Sequence, residues 1–177
     1  MAASLILAPA RNSLSLFKPF AMNKEVQYLI TTFKSTLQDE PWYGRSVYSI
    51  LEEIDPTVVY IKPGETEHSL IDLLYHMIAW AMFTQKRLEK DKGWDDTFME
   101  KIDWRTIDPA EHTWKKGMKQ LKETHEQIIA LLRDKDDSFL SEMVDFRKYN
   151  FRFLLNGLIQ HNIYHLGQIA YVKKLIS

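Results

Sequence analysis

Residues 150–176 read NFRFLLNGLIQHNIYHLGQIAYVKKLI, and their periodicity decides the fold class. Leu154, Leu158, His161, His165, Ile169 and Val172 recur at steps of three and four, which is one face of a helix of period 3.6. The spacing predicts a helix from about Asn150 to Ile176. Within it, His161 and His165 stand four residues apart, so their Cβ atoms lie about 5–6 Å from each other on one face. Two imidazole nitrogens at that spacing can share a metal ion at roughly 2 Å each. An i,i+4 histidine pair also arises by chance on helix surfaces, so a third donor is needed.

Working outward, three more long helices emerge. Val26, Leu29, Ile30, Phe33 and Leu37 predict a first helix over about Asn23 to Leu37. Asp39-Glu40-Pro41-Trp42-Tyr43-Gly44 ends it, because Pro41 disfavours helix in the residue before it. A short helix through Val47, Ile50, Leu51 and Ile54 follows, then a loop over Asp55–Glu67 with Pro56, Pro63 and Gly64. Ser69 is a good N-cap with Asp72 three positions on, close to a capping box, so the second long helix starts there and runs to about Lys90. It is apolar nearly all round through Phe83, which assigns it to the centre of the domain, and it turns polar at Gln85-Lys86-Arg87. Asp91–Ile107 is a connection carrying Trp94 and Trp104. The third long helix is expected to open at Asp108-Pro109 and to continue through Leu132, with a charged loop at Asp134–Asp137. With no strand-period pattern of any length, the natural packing is all-α, an antiparallel four-helix bundle.

The composition excludes several function classes. Twenty-three basic and 24 acidic residues are mixed along the chain, for a net charge of -1, so no basic stripe exists to meet nucleic-acid phosphates. Apolar runs fall short of the roughly 18 residues that a membrane span needs. The absence of cysteine removes both a disulfide framework and a thiol nucleophile, and suits a reducing cytoplasm. Met1–Ala21 holds Arg11 and Lys18 but no acidic residue, and is rich in serine, alanine and leucine. It reads as a leader, either a targeting peptide or, preferably, an extension ahead of a start at Met22. The domain is therefore taken as residues 22–177.

His76 supplies the third donor. It sits in the apolar half of the second long helix among Leu73, Met77, Ile78 and Trp80, where a buried imidazole must have its nitrogens satisfied. Three inward histidines on two helices share one economical explanation: a single metal ion, three neutral imidazoles and an open position. Their nearest nitrogens should then lie within about 3–4 Å of one another. Gln168 is placed to support His165, whereas Tyr164 points to the side and is expected to pack. His112 and His125 are assigned surface or partly buried structural roles, and His68, just before the cap and near the expected bundle mouth, is assigned to packing, with a substrate-side role as the alternative. Trp42, Tyr43 and Trp80 are read as packing residues ahead of substrate platforms. Asn162 occupies the place of the glutamate base in a HExxH zinc protease, and no two helices carry the Glu-x-x-His of di-iron bundles. A metal at this site would bind and polarise something without a resident base.

The stretch from Glu67-His68-Ser69 through His76-Met77-Ile78-Ala79-Trp80 resembles the helix-two motif of the DinB-like (YfiT-like) superfamily. His161-Asn162-Ile163-Tyr164-His165-Leu166-Gly167-Gln168-Ile169 is similar to its helix-four motif, and Trp42-Tyr43-Gly44-Arg45-Ser46 also fits. The resemblance spans about residues 23–176. It implies a four-helix bundle with a long crossover, often a homodimer, with zinc or nickel on His76, His161 and His165. Members of that family include bacillithiol S-transferases, mycothiol-dependent isomerases and stress-induced proteins. The leading expectation is a metal-dependent enzyme of the thiol-transferase type. It would activate a low-molecular-weight thiol against a small-molecule electrophile, with no nucleic-acid or membrane partner. The alternatives are a metal-dependent hydrolase and a non-catalytic metal-binding or dimerisation module.

Overall fold

Four long helices carry the chain in the computed structural model, which describes residues 23–176 apart from the side chain of Asp96. They are α1 (Lys24–Gln38), α3 (Leu70–Leu88), α5 (Trp114–Arg133) and α6 (Phe151–Ile176), with two short helices, α2 (Val47–Leu51) and α4 (Asp96–Ile102), between them. One 3-10 turn (Asp137–Ser141) precedes α6, and the described residues contain no strand beyond an isolated bridge between Met143 and Asn150. The expected leader, Met1–Ala21, lies outside the described residues.

Local chemistry sets the start of α3 where the sequence places it. Ser69 Oγ accepts from the Asp72 amide, and Asp72 Oδ2 accepts from the Ser69 amide at 2.9 Å, closing a full capping box. The helix is buried almost all round and packs chiefly on α5 and α6, while α1 closes against α5, α6 and α2. Gly117 lets α5 come close to α3, since a Cβ there would stand 2.7 Å from Leu74 Cδ2. α1 takes its cap from far along the chain: Asp137 Oδ1 accepts from the amides of Glu25 and Val26 at 3.0 Å each. Arg152 at the head of α6 adds a bidentate pair with Glu25. No helix among the described residues is long and apolar enough to cross a membrane.

Three segments differ from the sequence reading. α5 opens at Trp114 rather than at Asp108-Pro109, because Thr113 Oγ1 captures the Lys116 amide as the cap. Asp108 instead closes a separate turn, in which the His112 amide reaches the Asp108 carbonyl at 2.7 Å and His112 Nδ1 accepts from the Asp108 amide at 2.9 Å. Second, the connection after α3 contains α4, started by Asp95, whose side chain accepts from the Phe98 amide. Third, Arg87 does not face solvent: it is 2% exposed, and its guanidinium donates to the carbonyls of Asp91 and Trp94 at 2.6 and 2.5 Å. A charge so buried needs such acceptors, and they fold the connection back onto α3.

Candidate metal centre

His76 projects from the middle of α3, and His161 and His165 from adjacent turns of α6, into one space between the two helices. The packing of α3 on α6 thus assembles what neither helix holds alone. His161 Nε2 lies 3.0 Å from His76 Nε2, within the separation expected from the sequence. One ligand atom from each of the three residues falls within 4.8 Å of the others, a looser set than that expectation at its widest. The ring centroids are 4.3–4.9 Å apart.

The far edge of one ring is held by a hydrogen bond, and that of a second lies beside a carboxylate. Gln168 Oε1 lies 2.6 Å from His165 Nδ1, which fixes the proton on Nδ1 and leaves Nε2 with a lone pair. Gln168 in turn donates to the Tyr164 hydroxyl at 3.3 Å, so Tyr164 joins the polar chain besides packing on the His165 ring. Asp103 Oδ1 stands 2.7 Å from His76 Nδ1, off the axis of a well-formed hydrogen bond. His161 Nδ1 is buried with no hydrogen-bond partner.

Burial governs the protonation of all three rings. It is the main cause that holds His76 and His165 down at about 4 and His161 at about 3, with the neighbouring imidazoles contributing to the drop at His161. At neutral pH the cluster is therefore three uncharged imidazoles, the form that ligates a metal. Burial also raises the carboxyl of Asp103, against the opposing pull of Trp80, His165 and Arg105.

These observations fit a metal ion. The donors are nitrogen only, the rings are neutral, and two of three have their remote nitrogen beside an acceptor, the arrangement that orients metal-binding histidines. The three residues could hold one ion.

None of the other sequence candidates joins the donor set. His125 is fully buried, deeper than the surface or partly buried position expected of it. Its Nδ1 pairs with the Tyr48 hydroxyl at 2.9 Å and its Nε2 with Asn162 Nδ2 at 3.4 Å. Asn162, in the place of a protease glutamate, thus points to His125 on α5. His112 sits in its own turn, edge-on to Tyr75. Trp42 is fully exposed. His68 stacks on Trp104 at 3.8 Å, and Trp104 stacks on His76 at the same distance, so an indole sandwiched between two imidazoles covers one side of the centre.

A family model described as the DinB superfamily matches residues 44–169. The chain belongs to the DinB superfamily. The match contains His76, His161 and His165 together with Asp103, Trp104 and Gln168, so the DinB region holds both the cluster and the groups that orient it. No curated protein matches the chain. Asp103 and Trp104 had no sequence signal of their own, because their partner His76 lies on another helix.

Proposed function

We propose that this DinB-superfamily chain is a metal-dependent thiol S-transferase on an antiparallel bundle of four long helices with a long crossover. In this reading His76, His161 and His165 hold one divalent ion, zinc or nickel. The observation that carries the proposal is the convergence of three neutral imidazoles with no carboxylate in the donor set. When bound, such an ion lowers the pKa of a thiol and keeps it as thiolate at neutral pH. The chain has no cysteine, so the sulfur arrives with a low-molecular-weight cosubstrate. Its proton leaves to solvent, an S–C bond forms with a small electrophile, and the bond to the leaving group breaks with its electron pair.

The residues around the cluster favour this over hydrolysis. A hydrolase needs a base beside the attacking water, yet Asp103 lies at His76 Nδ1, the edge opposite Nε2. Asn162 points instead to His125. A purely structural ion would call for four protein ligands, and the cluster among the described residues has three. The test is elemental analysis of the purified protein, followed by conjugation of cysteine-based thiols to 1-chloro-2,4-dinitrobenzene. Thiol-dependent release of chloride that is abolished by a chelator and restored by zinc or nickel is expected. Stoichiometric metal without turnover for any thiol would overturn the transferase reading.

A further inference from the structure

Gly157 lies on α6 one turn before His161, in mid-helix, where glycine costs about 1 kcal/mol relative to alanine. Two ordinary reasons for such a glycine are missing. Its φ is not positive, and a Cβ built on it meets no heavy atom within 4 Å. Gly117, by contrast, is required by the close approach of Leu74. The space above Gly157 is the floor of a groove of about 280 Å³ between α3 and α6.

The groove meets the candidate metal centre at His161, which belongs to both. His161 forms one end of it, and Trp80, Phe153, Leu154 and Leu158 form much of the lining. Apart from His161, the lining holds no acidic or basic residue. Trp80 forms a wall of the groove: its ring centroid is 5.8 Å from that of His161 and 5.6 Å from that of Phe83. Phe153, 64% exposed, stands at the outer rim and presents its ring to the groove.

Resting on the metal-centre reading above, we infer that this groove is the substrate pocket of the centre and takes an uncharged aryl group, whose polar end reaches the three histidines. The size suits this occupant. An apolar cavity of about 150 Å³ accommodates benzene, so the groove has room for one or two fused rings. Flat aromatic faces on Trp80 and Phe153 favour a ring over an alkyl chain.

Calorimetry on zinc-loaded protein tests the inference with benzohydroxamate and acetohydroxamate, which share a metal-binding head and differ in the ring. Metal-free protein is titrated with 1-naphthol. Wild type should bind benzohydroxamate tighter than acetohydroxamate by about tenfold or more, as burial of one ring implies. Gly157→Leu, which fills the groove, should bring that ratio to near one and abolish 1-naphthol binding, while acetohydroxamate affinity and zinc content stay the same. Gly157→Ala, with matching circular dichroism, controls for helix propensity. An unchanged ratio in folded Gly157→Leu overturns the inference. So does loss of a wild-type dimer in that variant on sedimentation, since the face would then be covered by a second copy. If zinc and acetohydroxamate fail to bind yet 1-naphthol binding is lost in Gly157→Leu, the aryl pocket stands and the metal reading falls.

Discussion

His125 and the cluster of His76, His161 and His165 are both made neutral by burial, yet the protein treats them in opposite ways. His125 has each ring nitrogen beside a partner on another element, Tyr48 on one side and Asn162 on the other. The cluster turns Nε2 of His76 and His161 toward each other and leaves Nδ1 of His161 without a partner. A buried polar group that the fold satisfies is a structural member, because its removal strands its partners. Polar groups that face one another and remain under-satisfied mark a place where a ligand completes the set. α6 separates the two arrangements, with Asn162 serving one and its neighbour His161 the other.

That contrast can be broken by substitution. His125→Ala should cost the most stability, about 3–5 kcal/mol, from the void it leaves and from stranding the Tyr48 hydroxyl and the Asn162 amide. Urea unfolding measures it, and metal content should remain that of wild type. Loss of metal in this variant would erase the distinction between the two regions. Asp103→Asn keeps the shape beside His76 but removes the charge, and should weaken metal affinity by about 10- to 100-fold with little change in stability. A chelator-competition titration that finds unchanged affinity would remove Asp103 from the centre.

Acid sharpens the comparison further. Burial pushes His125 down to about 3 from an ordinary 6.5. Between those values the unfolded chain binds a proton that the folded chain lacks, so stability is full above pH 6.5 and falls as pH drops toward 3. The loss attributable to this one residue is at most about 1.4 kcal/mol per pH unit. Comparing the pH slopes of wild type and His125→Gln, both metal-free, isolates it. Parallel slopes would show that His125 is protonated in the folded protein.

The elements written in local chemistry were legible in the sequence. The Ser69–Asp72 box fixed the start of α3, and the four-residue step from His161 to His165 announced the shared face of α6. His76 could be named because an imidazole in an apolar helix must find a partner. What escaped depends on chain brought in from elsewhere. The α5 start was misread because Asp108-Pro109 and Thr113 are both plausible openings, and only the turn closed by His112 separates them. Arg87 looks like a polar helix end until the carbonyls of Asp91 and Trp94 wrap around it. Asp103 and Trp104 sit at the end of α4, a helix without a strong periodic pattern, and reach His76 only after the connection folds back.

The central claim is that His161, unlike His125, belongs to a metal site. The direct measurement is metal stoichiometry after dialysis against zinc or nickel, with circular dichroism, for wild type, His161→Ala, His165→Ala and His125→Ala. One ion per chain is expected in wild type and in whatever fraction of His125→Ala remains folded. His161→Ala and His165→Ala should retain none while keeping their helical spectrum, since the apolar faces fold without an ion, unlike a zinc finger. Equal metal content in His161→Ala and wild type would contradict the account.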